Sequence, residues 1–128
     1  MAEERDLKTA PAGDRAAVAA EEAKAAIDGL RRRIDSIDEQ LMRLLNSRSA
    51  CAVEIGRVKR SLGLPVYSPE REAWILDRVM RENPGPLDAM AVRRVFERVI
   101  DESRRLERLA MDEEGHKGAE DGRPKGEE

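Results

Sequence analysis

Aromatic side chains are almost missing from this sequence: its 128 residues include one Trp, one Tyr and one Phe. The 40% of residues that are hydrophobic are therefore mostly Leu, Ile, Val and Ala, which points to one small helical domain. The one cysteine, Cys51, cannot form an intrachain disulfide, and the one histidine, His116, lies far from it in the chain. Cysteine–histidine metal sites and nucleophilic triads are excluded on these grounds. Positive charge is not in excess, since 24 basic residues face 27 acidic ones for a net charge of −3, so there is no basic field to hold a nucleic acid. No apolar run approaches the length that spans a bilayer, and the N-terminal "MAEERDLKTAPAGDR" has no apolar centre like that of a signal peptide. A soluble, cytoplasmic protein without nucleic-acid or membrane partners is expected. A phosphate-cradling glycine loop and internal repeats are also missing.

What is present is helical periodicity. Residues 1–26 are rich in Ala, Glu and Asp and poor in large apolar side chains; they read as a polar extension, partly helical or disordered. Within residues 27–110 three helical patterns follow one another. The first runs from about Leu30 to Leu62 and stops at Gly63, Pro65 and Pro69. The second opens with Ser68 as N-cap, Pro69 at the first helical position, and Glu70 and Glu72 against the positive end of the helix dipole; it buries Ile75, Leu76 and Val79. "ENPGP" breaks it, and Asp88 caps a third helix that buries Val92, Val95, Phe96, Val99 and Ile100. Residues 111–128, charged and containing Gly and Pro, read as a disordered tail. The first helix would extend roughly 48 Å, more than two short helices can cover, so its apolar seam implies self-association.

That seam carries an irregularity. Apolar residues at Leu30, Ile34, Ile37, Leu41 and Leu44 alternate in steps of four and three, as do Cys51, Ile55, Val58 and Leu62, but the step between Leu44 and Cys51 falls on Arg48. Lys59, eleven residues on, returns to nearly the same side of the helix about 16 Å away. On the third helix Ser103 continues the face of Val92, Phe96 and Val99, and Glu107 follows one turn later. Singly, each is explained as a rim residue whose stem lies along apolar surface with its polar end in water. Jointly, two cations on a mainly apolar face call for an anionic ligand.

Three stretches, "LRRRIDSIDEQLMRLLNSRSACAVEIGRVK", "PVYSPEREAWIL" and "VFERVIDESRRLE", resemble the all-helical chorismate mutase family over roughly residues 27–109. The similarity lies in an early arginine in the first helix, the helix-spaced "LLxxR…VxxxK", the "PERE" start of the second helix and the acidic-Ser element of the third. It implies an all-α fold, with three helices per subunit and a long first helix, paired as an intertwined homodimer. It also implies the Claisen rearrangement of chorismate to prephenate, on the route to phenylalanine and tyrosine. Such a pericyclic step within one substrate requires no nucleophile, metal or cofactor, only a folded substrate and charge set against the breaking ether bond.

By the same resemblance Arg31 and Arg48 would hold the two substrate carboxylates, and Lys59 and Glu107 would approach the ether oxygen. Glu72 and the Ser68 backbone would bind the ring hydroxyl, Ser103 would contact a carboxylate, and Arg71 would support the pocket. The family often has Asp where Ser68 stands, and many members have Gln where Glu107 stands. Arg31 lies about 25 Å along the helix from Arg48, too far for both to grip one small molecule, so a second chain is expected to supply it. Two alternatives stay open: the related isochorismate pyruvate-lyase branch, against which Glu72 speaks, and a catalytically inactive helical dimerisation or regulatory module.

Overall fold

A computed structural model describes residues 11–121, with side chains as far as residue 115. Residues 1–10 and 122–128, parts of the expected extension and tail, lie outside the described residues, as does the His116 side chain. The described chain consists of three helices: α1 (Ala12–Ser61), α2 (Pro69–Glu82) and α3 (Ala89–Asp121). The all-α, three-helix expectation holds. Among the described residues no helix is long and apolar enough to cross a membrane.

The chain divides into two compact units, residues 1–43 and 44–128. In the first, α1 carries Leu30, Ile34 and Ile37 at 54%, 54% and 55% exposure, with Ile27 and Leu41 similarly open. One uncovered apolar stripe on a helix otherwise clothed in charge is what the four–three alternation in the sequence encodes.

The second unit holds the end of α1 together with α2 and α3. Its local boundaries follow from capping chemistry. Gly63, at φ +69°, closes α1: its N–H donates to the Arg60 carbonyl at 3.1 Å and the Leu64 N–H to the Lys59 carbonyl at 2.8 Å. This paired closure is the Schellman arrangement, in which a left-handed residue without Cβ satisfies the last carbonyls of a helix. Ser68 Oγ accepts from the Arg71 N–H at 3.3 Å as N-cap of α2, with Pro69 following it. Asp88 Oδ1 accepts from the Ala91 N–H at 2.8 Å and so caps α3. Exposed i,i+4 pairs line the outer faces, among them Arg81–Asp77, Arg93–Glu97 and Arg98–Glu102, each at 2.8 Å; such pairs contribute about 0.3–0.5 kcal/mol apiece.

Burial within this unit is sparse. Ile100, at 8% exposure, is the buried apolar residue of the described chain, and Ser103, at 5%, is a buried polar one. Leu44, Ile55, Val58 and Leu62 of α1 remain largely exposed, as do Val95 and Leu106 of α3. Val95 therefore departs from the expected burial on α3, whereas Val92, Phe96 and Val99 are half-buried.

At its far end α3 passes Met111, where the sequence reading expected a disordered tail to begin, and continues to Asp121. Met111, Glu113 and Glu114 are good helix formers, and no proline intervenes before Pro124. Glu114 is also tied to α1, accepting from Arg57 Nε at 2.5 Å and from Arg60 Nη2 at 3.2 Å. Cross-helix pairing of this kind is invisible in a composition window.

Candidate functional site

The end of α1, the α1–α2 connection, the start of α2 and the middle of α3 enclose a cavity of about 270 Å³. Arg48 and Lys59 enter it from α1, Ser68, Arg71 and Glu72 from the start of α2, and Ser103 and Glu107 from α3. Seven of the eight residues singled out in the sequence thus share one cavity. The eighth, Arg31, is exposed in the N-terminal unit and is not among the residues lining it. Apolar walls come from Ile55, Val66, Ile75 and Ile100.

Arg48 sits in the seam because α3 offers it a partner. Its Nη1 donates to Ser103 Oγ at 3.2 Å, and Ser103 is itself buried. One nitrogen of a planar five-donor guanidinium is engaged there, which leaves others for an anion in the cavity. Lys59 Nζ donates to the Val66 carbonyl at 3.4 Å, a long contact that tethers the ammonium near the α1–α2 connection. Ser68 serves as helix cap through its side chain, while its carbonyl accepts from the Glu72 N–H at 3.2 Å. Arg71, exposed at the cavity edge, stacks on Trp74, 4.5 Å from the ring centroid.

Glu107 is half-buried at the α3 side of the cavity. Burial raises its carboxyl above the ordinary carboxylate range; Lys59, Arg60 and Arg104 pull it down and Glu72 pushes it further up, but burial prevails. The Glu107 side chain passes close to buried Gly56 of α1: a Cβ built there would lie 3.8 Å from Glu107 Cγ and 3.8 Å from Val66 Cγ1, at ordinary contact distance. The arrangement offers fixed cations at two places, an acidic group held toward its protonated form, and a carboxylate, Glu72, on the opposite helix. Such an arrangement can hold an anion against the cations and present a proton at one atom.

A second cavity of about 430 Å³ shares Arg48, Arg71 and Ile75 with the first and continues past Trp74, Val79 and Phe96. It is larger but holds neither Lys59 nor Glu107. The chemistry-bearing groups converge on the smaller one.

The family model for chorismate mutase type II matches residues 30–108. The chain belongs to this chorismate mutase family. The bifunctional chorismate mutase/prephenate dehydratase of Pseudomonas aeruginosa is 45% identical over 86 residues, which is 63% of this chain and 24% of that protein. The chain thus spans about a quarter of the length of that relative. The chorismate mutase of Methanocaldococcus jannaschii is 28% identical over 89 residues, covering 69% of this chain and 90% of that one. A solved chorismate mutase of Thermus thermophilus superposes with a TM-score of 0.63 at 37% identity, over 65% of this chain and 94% of that one. Among chorismate mutase relatives, the resemblance read from the three sequence stretches is therefore matched in both sequence and fold.

Sequence reasoning missed Arg104, Arg60 and Gly56. Arg104 lies three residues before Glu107 on the same helical face, a spacing that could have marked it. Its side chain pairs with the Glu72 carboxylate, and its guanidinium lies 4.9 Å from the Tyr67 ring centroid. Nothing local in the sequence indicates a partner 32 residues away.

Proposed function

We propose that the protein is a chorismate mutase, converting chorismate to prephenate by a Claisen rearrangement within a single substrate. The observation that carries this reading is the convergence of Arg48, Lys59 and Glu107 on one mainly apolar cavity in a chain of this family. Chorismate is a dianion, and its rearrangement passes through a chair-like arrangement in which the breaking C–O bond leaves negative character on the ether oxygen. Arg48, steadied by Ser103, takes one carboxylate; Lys59 and a protonated Glu107 donate to the ether oxygen; Glu72 accepts from the ring hydroxyl. The carboxylate contact folds the substrate and the contacts to the ether oxygen meet charge that grows in the transition state, and both lower the barrier without a covalent intermediate; the hydroxyl contact adds recognition.

The second substrate carboxylate falls to Arg31 of another copy. The supporting observation is the half-exposed stripe Leu30, Ile34, Ile37 and Leu41, an apolar face that a second α1 crossing antiparallel would cover. The functional unit is then an intertwined homodimer with two shared sites, working in the cytoplasm on the route to phenylalanine and tyrosine.

Purified protein mixed with chorismate should remove its ultraviolet absorbance, and acid treatment of the product should yield phenylpyruvate. Absence of turnover would refute the reading, and turnover of isochorismate to pyruvate in its place would favour the lyase branch. Mixing inactive Arg31→Ala with inactive Lys59→Ala should restore about a quarter of sites after random exchange under twofold symmetry. Inactivity despite proven exchange would exclude shared sites.

A further inference from the structure

Arg104 differs from the arginine beside it in α3. Its neighbour Arg105 follows the ordinary surface pattern, 66% exposed and paired within its own helix to Glu102 at 3.3 Å. Arg104 instead reaches across to α2, where its Nη2 donates to Glu72 Oε1, while Asp101 of its own helix stands further off at 4.0 Å. Its guanidinium lies against the Tyr67 ring of the α1–α2 connection. Its Nε is enclosed and has no acceptor, an unfavourable arrangement that a solvated rotamer would avoid. The side chain is thus held where it is by two directed contacts, one to Glu72 and one to Tyr67, at the expense of a donor.

The consequence falls on Glu72. A glutamate near the start of a helix can populate several rotamers, with a broad terminal torsion, unless something anchors its carboxylate. Arg104 takes Oε1, which leaves Oε2 as the acceptor for a donor in the cavity. We propose that Arg104 is a positioning residue that aims the Glu72 carboxylate at the substrate's ring hydroxyl and thereby sets recognition of that hydroxyl. This inference rests on the mutase reading of the site. The ring hydroxyl takes no part in the bond changes, so the contact is made equally in the bound substrate and in the transition state. Losing its aim should raise KM more than it lowers kcat.

The test is a double-mutant cycle on the full chain with chorismate as substrate. Wild type should turn chorismate over; Arg104→Ala should lower kcat/KM by roughly tenfold to a hundredfold, chiefly through KM, and Arg104→Lys should retain part of that loss because it keeps the charge without the planar fork. Adding Arg104→Ala to Glu72→Ala should change kcat/KM by no more than about twofold, since a residue acting through Glu72 has nothing left to act on. Should Arg104→Ala fail to fold by circular dichroism, the same cycle with Arg104→Lys carries the comparison. Equal losses in the two backgrounds, in a wild type that is active, would overturn the positioning role alone. An inactive wild type would overturn the mutase reading and this inference with it.

Discussion

Glu107 is the residue on which the proposed mechanism is most exposed. An ionised carboxylate in contact with an oxygen that carries about half a negative charge, at a separation of about 3 Å and an effective dielectric constant of about 20, is unfavourable by about 3 kcal/mol. The protonated form would instead donate a hydrogen bond worth about 1–2 kcal/mol. The two forms then differ by about 4–5 kcal/mol, or about 10³ in rate. Turnover should be confined to the acid form. Burial has already moved the group toward that form against the pull of Lys59, Arg60 and Arg104, and bound dianionic substrate would offset those cations further. Above the pKa in the complex, kcat should fall by about tenfold per pH unit until the residual rate of the ionised form is reached. Glu107→Gln presents a neutral donor of the same shape at every pH. It should flatten the alkaline fall and keep substantial activity at neutral pH. Stability carries the same sign: a carboxyl whose folded-state pKa is raised stabilises the fold below its unfolded pKa, and that contribution is lost as pH rises through the folded value. The assay is the pH dependence of kcat for both proteins from acid to mildly alkaline conditions, with thermal denaturation alongside. Superimposable kcat profiles would refute the role of Glu107 at the ether oxygen.

Arg48→Lys should lower kcat/KM by about 10²–10³ while the protein stays folded, because a point charge replaces a two-pronged donor; Arg48→Leu should abolish turnover yet leave stability within about 1 kcal/mol, since restoring the seam offsets the lost bond to buried Ser103. Normal mutase activity in Arg48→Leu would dismiss the residue from the site. Gly56→Ala should raise stability by up to about 1 kcal/mol in thermal unfolding with kcat unchanged, because the added methyl meets Glu107 and Val66 at ordinary contact distance. A fall in melting temperature would show that α1 and α3 approach more tightly than this. Ile37→Asp, placed in the middle of the exposed stripe, should yield monomers by sedimentation and remove turnover; an active monomer would contradict the shared-site arrangement.

Periodicity, capping and helix breaks are local properties, and they determined the helices. The four–three stepping of Leu30 to Leu62, the cap at Ser68 and the break at "ENPGP" act within a few residues of themselves, so the three elements were legible without coordinates. Arg48, Lys59, Ser103 and Glu107 were legible for the same reason, as polar groups in faces whose spacing calls for apolar ones. Assigning them to two carboxylates and an ether oxygen came from the family resemblance, which spacing could not provide. The helical stretch past Met111 was misjudged because its anchor, Glu114, bonds to arginines more than fifty residues earlier. Only the tertiary structure decided that Arg104 belongs to Glu72 rather than to solvent, and that Glu107 is desolvated enough to raise its pKa. Charge pairing and desolvation depend on what crosses from another helix, and a single strand of sequence carries no measure of that distance.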